Sequence, residues 1–167
     1  MTHKLKRPVA FLSAFVMVMA MLLYFPGGTS SLDFGLKASA ATITPTEPST
    51  NSNGVYRIGT AAELYWFAKL VNNGNKSANA VLTDNITMNT NVLVNGTLNS
   101  NTDNFTSWTP IGKNTNAYTG TFDGQGYTIS GLYLNDSNLD FVGLFGYAGS
   151  NGTVKNVGVV DSYFNGG

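Results

Sequence analysis

The 167-residue sequence predicts an all-β chain, a parallel β-helix or solenoid, with one α-helix over its N-terminal end. Three observations lead there. After Asn79, short apolar runs alternate with Gly, Asn and Thr, and helical periodicity is absent. A single amphipathic segment, residues 60–73, precedes those runs. The runs themselves share one spacing of apolar residues, at first, fourth and sixth place, with Thr83 at the first place of the earliest run.

The beginning of the chain reads as an export leader. Lys4, Lys6 and Arg7 come first, an apolar run from Val9 to Phe25 follows, and Ala38-Ser39-Ala40 closes the pattern. A basic start, an apolar middle and a small-x-small end mark a cleaved secretory signal peptide over residues 1–40. The competing reading is a retained membrane anchor. The run is at the short edge of what spans a bilayer, and only Lys37 stands between it and the cleavage motif, so the signal peptide is favoured.

Beyond the leader there are five basic and eight acidic residues, a charge of −3. No basic patch exists, which excludes nucleic acid as a partner. The chain has no cysteine, and its one histidine, His3, lies in the leader. Disulfides, thiol chemistry, His triads and His-metal sites are thereby removed from the mature chain, and no cofactor is expected. An exported domain so built must rely on core burial and backbone ladders.

Residues 41–53, ATITPTEPSTNSN, are rich in Thr, Ser, Pro and Asn and read as a flexible linker. An N-terminal cap is expected over 54–78. Within it Thr60 can N-cap a helix, with Glu63 in place for a capping box. Leu64, Phe67, Ala68 and Val71 form one apolar stripe, and Gly74 can end the helix. Two turns of stripe can cover a core but cannot make one.

Solenoid coils are expected over 79–167. Aligning TDNITMN (83–89), ISGLYLN (129–135) and VKNVGVV (154–160) puts Ile86, Leu132 and Val157 in one file and Met88, Leu134 and Val159 in another. The offsets, 46 and 25 residues, suggest coils of some 23–25 residues. Within the spacing, a gap of three before a gap of two switches side-chain parity. The chain must therefore bend near Ser130-Gly131 and Lys155-Asn156. Stacked files would bury side chains worth about 1.5–3 kcal/mol each. Asn89 and Asn135 coincide and are candidates for an amide ladder along the axis.

WTPIG (108–112), TGTFDGQGYTISGLYLN (119–135), VGLFGYAG (142–149) and GTVKNVGVVDSYFNGG (152–167) together resemble the GLUG-motif proteins of bacteria. The resemblance covers 55–167. It implies a right-handed parallel β-helix (solenoid) fragment with one N-terminal capping α-helix, on a secreted or cell-surface protein that is often longer. It implies no catalytic residues. Because SYFNGG stops in mid-pattern, further coils are expected to cover the C-terminal edge.

Each chemical motif has a structural alternative. Asp123-Gly124-Gln125-Gly126 looks like a phosphate cradle, but a strand pattern follows where a helix is needed, so a coil corner is expected. Asp136, Asn138 and Asp140 open like a calcium loop, yet Phe141 and Tyr147 occupy its Gly and Glu places, leaving a weak calcium candidate. Asp123, Asp136, Asp140 and Asp161 are scattered through turns and make no carboxylate pair. Tyr118, Tyr127, Tyr133 and Tyr147 could form a ligand face, while ordinary strand packing is the competing reading. The resulting expectation is a non-catalytic scaffold with an adhesive role, its partner a host or cell-wall glycan or a surface protein, its leader engaging the secretion machinery. The alternative is the N-terminal part of a carbohydrate-active β-helix enzyme, a polysaccharide lyase or glycoside hydrolase.

Overall fold

The computed structural model describes residues 42–167, and the expected leader at 1–40 lies outside the described residues. The elements are β1 (Tyr56–Ile58), α1 (Ala61–Asn72), β2 (Ala80–Leu82), β3 (Ile86–Thr87), β4 (Leu93–Val94) and β5 (Thr97–Leu98). After these come β6 (Thr121–Asp123), β7 (Thr128–Ser130), β8 (Tyr133–Asn135), β9 (Thr153–Lys155), β10 (Gly158–Val160) and β11 (Tyr163–Asn165). Strands of two or three residues are what a chain punctuated by Gly and Asn can sustain between corners.

Helix α1 starts and stops as its sequence requires. The Glu63 backbone N–H donates to Thr60 Oγ1 at 3.3 Å, and Glu63 Oε2 accepts from the N–H groups of Thr60 and Gly59 at 3.0 and 2.8 Å. At the other end Asn73 is the C-cap and Gly74 follows at φ 116°. Gly74 N–H reaches Val71 O and Asn75 N–H reaches Leu70 O, the double closure of a Schellman motif. Leu64, Phe67, Ala68 and Val71 are all buried, as the stripe predicts. The Phe67 ring lies 6.0 Å from Tyr56, 6.2 Å from Tyr118 and 5.9 Å from Phe122, which seats the helix on the strand core.

Stacking of short parallel strands organises the rest. One sheet has the order β1-β2-β6-β9, a second β10-β7-β3 and a third β11-β8, and every pair in them is parallel. Parallel bridges from Ile111 to Phe145 and from Tyr118 to Ala148 add further rungs. The described residues are thus a set of stacked, mostly parallel sheets with one helix, as in a solenoid-like fragment. The antiparallel hairpin β4–β5 is an addition that the strand pattern did not announce.

The register corrects the expected files. Ile86 pairs with Ile129, and Ile129 pairs with Val159. Leu132 and Val157 therefore do not share a file with Ile86. Leu132 is fully buried beyond the corner at Gly131, and Val157 is half-buried beside the core. Met88 is buried past the end of β3, Leu134 pairs with Phe164, and Val159 belongs with Ile129. The steps are 43 residues, as from Asn85 to Thr128, and 30 residues, as from Asn135 to Asn165. An apolar spacing of three then two is degenerate: sliding by three, which turns 46 into 43, or by five, which turns 25 into 30, still matches apolar to apolar. The longer step holds the hairpin, which that spacing cannot register.

The bends fall where expected. Gly131 and Asn156 have φ of 72° and 55°. Asn135 forms its ladder with Asn165, whose Nδ2 donates to Asn135 Oδ1 at 2.8 Å. Asn89 does not join it, and bonds Thr106 and Gly131 instead. The segment expected as a flexible linker lacks regular structure but is fastened. Thr46 N–H donates to Ala62 O, Arg57 N–H to Ser49 O, Thr50 bridges Tyr56, and Pro48 is buried. Backbone bonds to β1 and α1 supply what its side chains cannot. At the far end of the stack, β9, β10 and β11 each have a strand neighbour on one side only among the described residues, and Val154, Val159 and Val160 are 40%, 40% and 47% exposed.

Two glycines of the β6–β7 corner are required for different reasons. A Cβ on Gly124 would stand 2.4 Å from Asn156 O and 2.5 Å from the Val157 Cβ of the next tier. Gly126 has open space but φ of 87°. Asparagine tolerates that backbone but still carries a Cβ. Urea unfolding should therefore show Gly124→Asn destabilised by about 2 kcal/mol or more and Gly126→Asn by about 1 kcal/mol or less. Equal losses would mean that the tiers are not in close contact at this corner.

Candidate functional site

The Asp123 corner is structural. Asp123 Oδ1 accepts from Gln125 N–H and from Asn156 Nδ2, each at 3.0 Å, and Lys155 Nζ lies 3.3 Å from Oδ2. Gln125 and Gly126 both have positive φ, and Tyr127 N–H closes the turn on Gly124 O. The backbone N–H of Gln125, then the Asn156 amide, then Lys155 hold the carboxyl below its ordinary 3.8. The carboxylate thus ties one tier to the next through the Asp123–Lys155 register. No helix follows; β7 does, so these glycines lack the helix N-terminus that a phosphate loop places behind them.

The calcium candidate begins with a local turn. Asp136 Oδ1 accepts both the backbone N–H and the Nδ2 of Asn138 at 3.0 Å, an Asx turn that also lowers its pKa. Asp140 is exposed, and no group of three or more His, Cys, Asp or Glu is placed to hold a metal ion among the described residues.

The four tyrosines do not form one face. Tyr118 is fully buried, and its hydroxyl donates to Ala78 O at 2.9 Å, so it is a core residue. Tyr127 lines a depression of about 410 Å³ with Arg57 and Gln125. Tyr147 is 37% exposed and meets the Phe141 ring edge-on at 5.4 Å. Tyr133 lies between Phe105, tilted at 5.3 Å, and Tyr163, stacked at 6.2 Å. Trp108 is buried, with Nε1 donating to Gly143 O and its ring 5.3 Å from Tyr65.

A groove of about 430 Å³ beside the Tyr133 stack escapes the sequence reading. Its lining includes Asn89, Asn91, Asn99, Asn101, Asn104 and Phe105, and no charged residue. Two of the asparagines build the frame. Asn89 Oδ1 accepts from Thr106 N–H at 2.7 Å, while its Nδ2 donates to Thr106 O and Gly131 O. Asn99 Nδ2 donates to Asn91 O, and its Oδ1 accepts from Asn101 N–H. Asp161 Oδ1 accepts from Leu93 N–H at 2.9 Å, which ties the β4–β5 hairpin to the last tier. The side chains of Asn91, Asn101 and Asn104 make no hydrogen bond among the described residues. The available signal was the clustering of asparagines between Asn89 and Asn104, a stretch that the repeat alignment passes over.

No family model matches the chain, and no solved structure matches it. Among curated proteins, a Gly-rich membrane protein of Evansella cellulosilytica is 41% identical over 56 residues, 34% of this chain and 6% of that protein. Halomucin of Haloquadratum walsbyi is 32% identical over 123 residues, 72% of this chain and 1% of that protein. The chain spans only these small fractions of two very large relatives.

Burial of two phenols makes stability depend on alkaline pH. Desolvation pushes Tyr65 up to about 12 and Tyr118 well above the ordinary tyrosine value. A raised pKa gives stability that is complete below the unfolded value, near 10, and is lost as pH rises through the folded one. The melting temperature should hold steady from pH 7 to 9 and fall above about pH 10, with a shallower fall in Tyr65→Phe. Ultraviolet titration should find two late tyrosines; ionisation of all of them together near 10 would contradict the packing.

Proposed function

We propose that this chain is part of an exported cell-surface or secreted repeat scaffold with an adhesive role, wound as a right-handed parallel β-helix and non-catalytic in this segment. The observation that carries the reading is the common parallel register of successive tiers, held by corner side chains such as Asp123. Polar groups used to lock corners are unavailable for chemistry. Handedness follows from β1–α1–β2, a crossover between parallel neighbours, which is right-handed in about 98% of such units.

The strings that resemble GLUG motifs fall on the strands and corners of this stack, in keeping with a structural motif. The great length of both relatives, one of them described as a membrane protein, supports the surface location. The sequence pattern of the leader supports export. The apolar edge at Val154, Val159 and Val160 suits a further parallel coil, which would extend the rod and carry a binding face away from the cell. A host or cell-wall glycan, or a surface protein, is the partner this reading calls for.

Beads coated with the full chain should retain at least one member of a panel of glycans, matrix proteins and cell-wall fragments. Uncoated beads should not. Absence of retention across the whole panel would remove the adhesive role and leave a passive framework.

A further inference from the structure

We infer that the asparagine-lined groove is a binding site for a neutral saccharide, with Phe105 as its apolar platform and Asn91, Asn101 and Asn104 as its hydrogen-bonding edge. This deepens the adhesive reading and rests on it. The groove volume, about 430 Å³, lies within the range of small-molecule sites, roughly 300–1,000 Å³.

Its chemistry selects the ligand class. With no charged residue in the lining, phosphate, sulfate and uronate groups have no counter-charge. A carboxamide offers both donors and an acceptor in one plane, so it can pair with neighbouring hydroxyls of one sugar ring. Three such amides are unengaged among the described residues, while Asn89 and Asn99 are held by frame bonds at both their oxygen and their nitrogen. This division of labour is what a preformed site needs: fixed walls and unpaired recognition groups. Phe105 is half-buried and propped at 5.3 Å by Tyr133, which Tyr163 backs in turn. A supported ring presents an apolar surface at low entropic cost, suited to the C–H face of a pyranose.

Topology explains why the site lies here. The step from Asn85 to Thr128 is 43 residues, against 30 for the next. The extra chain supplies β4–β5 and the loop through Asn104 and Phe105, which are anchored by Asn89 below and Asp161 at the last tier. An insertion held at both ends makes a wall. A peptide partner would be drawn to an open strand edge, and this groove offers side-chain amides instead.

The test titrates the full chain, isotopically labelled, with neutral hexasaccharides: maltohexaose, cellohexaose, laminarihexaose, mannohexaose and chitohexaose. At least one should bind with Kd below about 1 mM. It should shift the side-chain amide resonances of Asn91, Asn101 and Asn104, and the affinity should be the same at low and high salt. Asn101→Ala/Asn104→Ala should weaken binding at least about tenfold with an unchanged melting temperature, because those side chains make no bond within the described residues. Phe105→Ala should abolish binding; if that variant melts early, the double asparagine variant decides alone. The inference is overturned if no sugar shifts those resonances, or if binding survives the double variant. Retention on the bead panel without such shifts would overturn this site and leave the adhesive reading intact.

Discussion

Everything in this structure depends on one constraint: outside the β4–β5 hairpin, the peptide groups of each short strand are satisfied by the tier beside it, not by a return strand of the same tier. Strands of two or three residues cannot hold themselves. They persist because Ala80, Phe122 and Val154 form one parallel rung, and Ile86, Ile129 and Val159 another. Each tier must therefore arrive at the right height, and the corners decide whether it does.

The corners do this by close backbone approach and by amide chemistry. Gly131 lets the chain pass so near to Asn89 that a Cβ would lie 1.8 Å from its carbonyl oxygen. Asp123 reaches Asn156 and Lys155, and Asn165 reaches Asn135, so polar side chains bond along the stack as the strands do. Exposed ion pairs contribute little to stability, and the Asp123–Lys155 contact is better understood as setting register. The aromatic cluster of Phe67, Tyr118, Phe122 and Phe145 fills the interior and joins the helix to the sheets. A mostly neutral chain with few charges thus obtains order from geometry more than from electrostatics.

Much of this was legible. The capping box at Thr60 and Glu63, the buried stripe through Val71, the Gly74 terminus and the bends at Gly131 and Asn156 all follow from local chemistry within a few residues. Register was not legible from apolar spacing, because Ile129 and Leu132, three apart, compete for Ile86, and Val154 and Val159, five apart, compete for Ile129. A better signal was present: Tyr133-Leu134-Asn135 matches Tyr163-Phe164-Asn165 with no gap, and these strands are paired. Burial of Tyr118 was equally hidden, since a tyrosine in a turn-rich stretch reads as surface until Ala78 O is found opposite its hydroxyl. The groove was hidden for a related reason. Its asparagines look alike in the sequence, and only their bonds divide frame from edge.

The order of amino acids states what each short segment prefers: where the helix starts and stops, where the chain turns, which side chains need burial. Those choices rest on interactions between residues close in the chain, and the alphabet of caps, glycines and alternating apolar residues states them directly. The folded chain alone reveals which tier lies on which, that Val159 meets Ile129, that Tyr118 is interior, and that Asn91, Asn101 and Asn104 surround a groove. Those outcomes depend on contacts between residues distant in the chain, from 17 residues at Asn89–Thr106 to 68 at Leu93–Asp161. At that range several alignments bury similar apolar area, and backbone approach at the corners selects among them.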